Sequence, residues 1–455
     1  MDKTPVYKKN VVIIGGGTVS HIKSHLGLAA VAYGKTARML KDLCEAHSDK
    51  LDVKLYLTRM ANSGVGTLET NEDILSLVED LKIDMQTKIM FFNPAMCDFS
   101  GFTTVKDPSN IGGDMATPSG KYEGRLKSRD TKGISLGLKP MPKVISTIRD
   151  KNHKDIFLVG FKTTCGATED EQYLAGLNLL KESSCNLVLA NDVKTRTNMI
   201  ITPEEARYHV TTDREEALRN LVEMAYLRSH LSFTRSTVVS GELVAWGSAD
   251  VPDSLRTIVN HCINSGAYKP FRGSTVGHFA CKVDDTTFLT SKRKTNFNDL
   301  DTIGLVKVTT DGPDTVTAYG AKPSVGGQSQ RIIFSAHADK EYDCIVHFHC
   351  PIKSGSEVPV VSQREFECGS HQCGENTSNG LKQFENLSAV MLDNHGPNIV
   401  FNRNIDPSEV TAFIEKNFDL DGKTGGPVEL KELHEEIKFK RMPKRWIPEI
   451  DALTY

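Results

Sequence analysis

The chain changes its pattern once, and that change constrains its fold more than any other feature. From residue 10 to about 230, short apolar runs alternate with helical segments; beyond that, β-like runs follow one another closely. The runs NVVIIGGG (10–17), LDVKLYLT (51–58), KIMFFN (88–93), DIFLVGF (155–161) and NLVLAND (186–192) are short and rich in apolar residues, and glycine or a polar residue stops each. Strands buried on both faces read this way. Between them, Ala37, Leu40 and Cys44 recur at i, i+3, i+7, and Tyr173, Leu177 and Leu180 at i, i+4, i+7. Each set forms one stripe of a helix. Strand–helix alternation predicts an α/β fold with a doubly wound, Rossmann-like parallel sheet. A last helix, with Leu218, Leu221 and Tyr226 on its apolar side, closes this domain, which is expected to span 1–232. The polar, glycine-rich stretch 101–140 lacks periodicity and reads as one long loop.

In the second half, the helical segment VPDSLRTIVNHCINSG precedes GHFACKV, TTFLTS, GLVKVTT, TVTAYG, CIVHFHC, SAVMLDN and NIVF. Runs of strands with helices set apart predict a mainly antiparallel sheet. Asp406 as N-cap, Pro407 at the first helical position and Glu409 completing a capping box predict a final helix through Val410, Phe413 and Ile414. The second domain is expected over 233–424, with a charged tail at 425–455 that packs as an arm or mediates oligomer contacts.

At 455 residues the chain exceeds what one hydrophobic core usually supports. A formal charge of −3, from 55 basic and 58 acidic residues, gives no footprint for nucleic acid or an anionic membrane surface. The expected partner is a small molecule. Ten cysteines scattered from Cys44 to Cys373 fit a reducing compartment, and no apolar run reaches the length of a membrane span. A cytoplasmic protein is expected.

His347 and His349 stand two apart in CIVHFHC. On a strand such a pair shares a face and can reach one ion. Read alone, the pair is a chance feature of a satisfied face. His395, in AVMLDNHGPNIVF, reverses that preference, because it follows an apolar strand and precedes a Gly-Pro turn that can aim its ring. A catalytic zinc or similar divalent ion needs about three protein ligands and one open position.

VHFH and LDNHGP together resemble the class II aldolase and adducin-head family. TVGHFACKVDDTTFLTS followed by DLDTIGLVKV is similar to its early strand–turn–strand segment, so that the resemblance covers roughly 235–420. It implies an α/β/α domain with zinc or another divalent metal on His347, His349 and His395. It also implies either lyase chemistry or, as in adducin-like heads, assembly without catalysis. The family's enzymes carry a catalytic Glu before the histidine pair, and here Gln328 or Gln330 falls in its place. An amide cannot take a proton at neutral pH. The family's phosphate loop is replaced by TSKRKTNFND, where Lys292, Arg293 and Lys294 form either an anion site or a solvated turn. Cys368, His371 and Cys373 are expected in a structured loop over the metal cleft.

The first half resembles the phosphopantothenate–cysteine ligase family in five segments that keep that family's order over roughly 10–195. Gly16, Gly17 and Thr18 match its first loop, and Gly34 with Lys35 its next helix start. AMCDF (95–99), containing Asp98, GRLKS (124–128), and VGFKTT with LVLANDV match the remainder. The resemblance implies CTP or ATP with Mg²⁺, a carboxylate activated for attack by an amine, and a homo-oligomer. Lys127 is the expected catalytic cation on a closing loop, supported by Arg125. Phe161, Asn191 and Asp192 are expected at the nucleotide, although Asn-Asp also suits a plain strand-end turn. That family's E-P-x-D is here Val19-Ser20-His21-Ile22. A fusion of the two implies successive steps on one small metabolite, phosphorylated or carboxylated.

Overall fold

The computed structural model describes residues 8–84, 86–105, 115–127, 134–150, 152–312, 314–324 and 327–427. The charged tail beyond residue 427 lies outside them. The chain divides into two compact units: Met1–Ala167, Ala175–Pro203 and Arg207–His230 form the first, and Thr168–Leu174, Glu204–Ala206 and Leu231–Tyr455 the second.

The first unit holds β1 (Lys9–Gly17), β2 (Val19–Lys23), β3 (Leu26–Ala29), α1 (Lys35–Glu45), β4 (Leu51–Leu57), α2 (Asn71–Ile83) and β5 (Thr87–Ala95). After these come β6 (Phe99–Val105), β7 (Met115–Ala116), β8 (Ser135–Pro140), α3 (Ile145–Ile148) and β9 (Phe157–Thr164). Next are α4 (Glu169–Ser183), whose residues up to Leu174 are grouped with the second unit, β10 (Leu187–Asp192), β11 (Asn198–Ile201), β12 (Arg207–Thr211) and α5 (Arg214–Arg228). Its main sheet runs β12-β11-β10-β9-β5-β1-β4. The strands from β10 to β4 are parallel, and β11 and β12 add an antiparallel edge. Val11, Ile13, Ile14, Leu158, Val159 and Leu189 are fully buried, as strands covered on both faces require.

Three features depart from the expectation for this half. The stretch 101–140 is not simply a loop: β6 pairs antiparallel with β8, from Phe99↔Pro140 to Thr104↔Ser135, and β7 adds a third strand. Its exposed Phe99, Leu136 and Leu138 carry no buried-strand signature. β2 and β3 form a hairpin directly after the glycines. α2 starts at a reciprocal cap, in which the Asp73 N–H donates to the Thr70 hydroxyl and the Thr70 N–H to the Asp73 carboxylate.

The second unit contains β13 (Arg235–Val239), α6 (Asp253–Asn264), β14 (Pro270–Phe271), β15 (Ser274–Thr275), β16 (His278–Lys282), β17 (Thr287–Thr290), α7 (Leu300–Ile303) and β18 (Val306–Thr310). It continues with β19 (Thr315–Tyr319), α8 (Gly327–Ser335), β20 (Cys344–His347), β21 (Val360–Val361), α9 (His371–Gly380), β22 (Lys382–Gln383), β23 (Leu387–Leu392), β24 (Gly396–Phe401) and α10 (Pro407–Asn417). The sheet order is β13-β19-β18-β17-β16-β20-β24-β23-β21, and β22 also pairs with β23. Most pairs are antiparallel; β13 with β19 and β21 with β23 are parallel. One face packs Phe279, Val346, Ile399 and Phe401 against Leu255 and Ile258 of α6 and Val410 and Ile414 of α10. The other packs Ala280, Ile345 and Val400 against Ile333 and Phe334 of α8. The unit is thus a helix–sheet–helix layer structure. Asp406 caps α10 by accepting from the Ser408 N–H. Glu409 does not complete a capping box, because its carboxylate takes a 2.6 Å hydrogen bond from Asn386 instead. No helix among the described residues is long and apolar enough to cross a membrane.

Candidate metal centre

β20 lies between β16 and β24, and its last residue, His347, sits opposite His278 on one side and Asn398 on the other. The strand ends there, so His349 lies just past it rather than on it, with Phe348, between them in sequence, buried in the core. His395 occupies the turn between β23 and β24. Asn394, at φ +56°, makes that turn tight. A side chain at Gly396 would place its Cβ 2.0 Å from the Phe348 carbonyl oxygen, so only glycine lets the two backbones approach. That approach delivers the His395 ring to the histidine pair. Ring centroids are 4.5 Å apart for His347 and His395, 4.8 Å for His349 and His395, and 5.2 Å for His347 and His349. One nitrogen from each of the three rings lies within 4.8 Å of the others, and all three side chains are buried.

His347 Nδ1 is 2.8 Å from the Pro397 carbonyl oxygen, an acceptor, so Nδ1 carries the proton and Nε2 is left with its lone pair. Nε2 faces His395 Nε2 at 3.1 Å. Two nitrogens on one tetrahedral zinc stand about 3.3 Å apart, from bond lengths of about 2.0–2.1 Å. The pair is spaced for a shared ion, and the backbone acceptor behind His347 is the outer contact that fixes a ligand's tautomer. Burial, reinforced by the neighbouring His278 and His349, holds the His347 pKa well below 6.5, and burial pushes His278 down to about 3. Both rings are neutral at physiological pH, the form a metal requires.

Around the triad the second unit supplies a buried ion pair. Glu205 Oε2 is 3.2 Å from Lys423 Nζ and 3.8 Å from His349 Nδ1. Glu205 holds φ +66°, a strained conformation for a non-glycine residue. Tyr173 donates a 2.6 Å hydrogen bond to its carbonyl oxygen. Beside Lys423, the Thr424 N–H donates to the His349 carbonyl oxygen at 3.2 Å, and its hydroxyl to that of His395. Neither Glu205 nor His278 was singled out in the sequence. His278 is visible only once β16 is paired with β20, and the backbone strain at Glu205 leaves no trace in its EE dipeptide.

His347 and His395 also line a cavity of about 20 Å³, room for a single water or ion. Gln330, His278, Cys368 and Cys373 line it as well. His371 and Cys373 lie on α9 rather than in the expected loop, with Cys368 just before it; Cys368 and Cys373 line the cavity, whereas His371 turns away to Thr234 and Asp314. The side chain of Gln328 lies outside the described residues. Arg293 and Lys294 are exposed in a turn.

Several expected nucleotide residues are used differently. Gly16 and Gly17 are not an open cradle, because β1 stays paired with β5 through Gly17↔Ala95 and spends its backbone in the sheet. A Cβ on Gly16 would lie 2.1 Å from the Thr58 hydroxyl, so that glycine serves close packing. Thr18 is buried; its hydroxyl contacts Asn71 Oδ1 at 2.8 Å and accepts from the Cys97 N–H at 2.9 Å. This network fills the carboxyl end between β1 and β5, where the strand order reverses and such sheets usually take ligands. Asp192 accepts from the N–H groups of Gly166, Ala167, Lys194 and Thr195 and from the Thr164 hydroxyl. Burial alone would raise its pKa, but these donors hold it well below the usual range. Asp192 therefore organises its own turn. Asp98 is exposed and pairs with Lys143. Gly34 caps α1 in the left-handed region with Lys35 exposed after it, and Arg125 and Lys127 are also exposed. Phe161, in the middle of β9, and Asn191, next to last in the adjacent β10, are half-buried.

No family model matches the chain, and no curated protein matches it. Among solved structures, a DNA/pantothenate metabolism flavoprotein from Streptococcus pneumoniae is similar at 19% identity, covering 47% of this chain and 97% of that one, with a TM-score of 0.38. The C-terminal domain of the coenzyme A biosynthesis bifunctional protein CoaBC is similar at 15% identity, covering 49% and 97%, with a TM-score of 0.34. A Cab2 mutant in complex with phosphopantothenate-cysteine is similar at 12% identity, covering 49% and 86%, with a TM-score of 0.32.

Proposed function

We propose that the second unit is a metal-dependent enzyme domain that holds one divalent ion, zinc foremost, on His347, His349 and His395. The observation that carries this reading is the convergence of three buried imidazoles from two separate segments, with the Nε2 atoms of His347 and His395 3.1 Å apart. When bound, the ion supplies a Lewis acid for a carbonyl or hydroxy compound. The chain's own residues do the rest. Pro397 fixes the His347 tautomer, Thr424 ties the backbones of His349 and His395, and the residues around Cys368 and Cys373 shield the centre from water. Gln330 stands where a proton-transferring carboxylate would be expected, so aldol cleavage by the family's usual route is not part of this proposal. A zinc competition titration tests the reading. Tight one-to-one binding that is lost in His349→Ala supports it; equal zinc uptake by the variant removes it.

For the first unit we propose a nucleotide-dependent, ligase-like role on a carboxylate, using CTP or ATP with Mg²⁺. Its support is the ordered motif set together with exposed Lys35, Arg125 and Lys127 in a parallel α/β unit. Gly34, Phe161 and Asn191 remain its candidate contacts, and a homo-oligomer belongs to the same proposal. One observation favours a second reading, in which the metal domain serves binding or assembly without turnover: the cavity beside the triad has room for no more than one oxygen atom. Exchange of a small carbonyl compound at the metal decides between them.

A further inference from the structure

A second cavity, of about 230 Å³, opens in the second unit away from the three histidines. The turn between β16 and β17 supplies one side of it and α8 the other. Lys282, on its wall, stands four residues beyond His278 on β16, a rise of about 13 Å, so the space is separate from the metal centre. α8 serves both places: Gln330 lines the small cavity beside the triad, whereas Arg331 and Phe334 line the larger one.

Phe288 and Phe334, both buried and drawn from two core clusters, give the larger cavity an apolar floor. Four charged side chains line the rest, and two of them neutralise each other: Lys282 Nζ donates to Asp285 Oδ1 at 2.7 Å. Asp284 and Arg331 form no such pair. Asp284 Oδ1 accepts from the Thr286 N–H and hydroxyl and from the Thr287 N–H, which fixes the carboxylate and holds its pKa below the usual range. Its Oδ2 is open to a further donor. Arg331 is exposed and makes no hydrogen bond or ion pair among the described residues. The cavity thus keeps one fixed negative end and one positive end over an apolar floor. A plain anion would meet the charge of the aspartate, and a plain cation that of the arginine.

We infer that this cavity binds a zwitterionic α-amino acid with an apolar side chain. The ligand's carboxylate takes paired N–H donors from the Arg331 guanidinium, its ammonium donates to Asp284 Oδ2, and its side chain lies on Phe288 and Phe334. The size agrees, since a cavity of about 150 Å³ holds a benzene ring. The remaining space takes the charged head.

Isothermal titration of the full chain with L-leucine tests the site. One-to-one binding is expected, and Arg331→Met and Asp284→Asn each weaken it about tenfold or more, the loss of one charge-assisted contact. Arg331→Met is expected to melt with the wild type, because that side chain has no partner to lose. Isocaproate, which lacks the ammonium, and isoamylamine, which lacks the carboxylate, bind about tenfold more weakly than leucine. Glycine, which lacks the side chain, is weaker too. Leucine binding persists after treatment with EDTA, which separates the site from chelation at the metal centre. Absence of leucine binding, binding unchanged in Arg331→Met, isocaproate binding as tightly as leucine, or loss after EDTA treatment overturns the inference.

Discussion

Glu205→Gln tests how the metal centre is held. Its carboxylate lies 3.2 Å from Lys423 Nζ and 3.8 Å from His349 Nδ1, with side-chain exposures of 4% for Glu205 and 9% for Lys423. Removing the charge breaks a buried pair from one side, which costs about 3–5 kcal/mol. It also removes the negative charge behind His349, and outer contacts of this kind change metal affinity by roughly 10–100-fold. The two effects separate in a double variant. Glu205→Gln with Lys423→Met removes both members of the pair, so urea denaturation of the metal-free protein recovers most of the lost stability. Zinc competition on the same double variant still shows the weakened affinity. Recovery of both quantities would refute the reasoning, because Glu205 would then act only as a counter-ion for Lys423. No loss of stability in the single variant would refute the buried pair itself.

Thr18→Val strips the hydroxyl from the network between β1 and β5, while the Cys97 N–H keeps Asn71 Oδ1 as an acceptor at 3.2 Å; thermal or urea unfolding is expected to show a loss of about 0.5–1.5 kcal/mol, the net worth of one hydrogen bond. The metal-free protein loses stability as pH falls below about 6.5, because the unfolded chain binds protons at His278 and His347 that the folded chain refuses. The folded pKa values are depressed, so the slope is on the order of 1 kcal/mol per pH unit for each histidine and vanishes above that range. Urea midpoints across pH 4–8 check it, and His278→Phe should flatten the curve. CTP or ATP with Mg²⁺ should raise the melting temperature, with a stabilisation of about 2.7 kcal/mol at a hundredfold excess over the dissociation constant. Lys127→Ala should weaken that shift without lowering the ligand-free melting temperature.

Local signals made β1, β4, β5, β9 and β10 and the helices α1, α4 and α5 legible, because each buries an apolar stripe with its own period. His347, His349 and His395 were legible because a short strand and a glycine turn write their geometry locally. What stayed hidden is non-local. The β6–β8 pairing joins segments some 36 residues apart through exposed side chains, and His278 meets the site only through cross-strand register. Asp192, by contrast, makes the strand-end turn that Asn-Asp suits, accepting from the Lys194 and Thr195 N–H groups, with Gly166 and Ala167 added from beyond β9. Thr18 carried the right motif for a nucleotide, yet its hydroxyl accepts from the Cys97 N–H of another segment, which no spacing rule reveals. Glu409 found Asn386 rather than its own helix terminus for the same reason.

X-ray absorption at the zinc edge of the zinc-loaded full chain tests the central claim most directly. Three nitrogen scatterers at about 2.0–2.1 Å with imidazole outer-shell features, plus one oxygen at a similar distance, are the predicted result. A sulfur shell near 2.3 Å, which would place Cys368 or Cys373 on the ion, or a signal unchanged in His395→Ala, would contradict it.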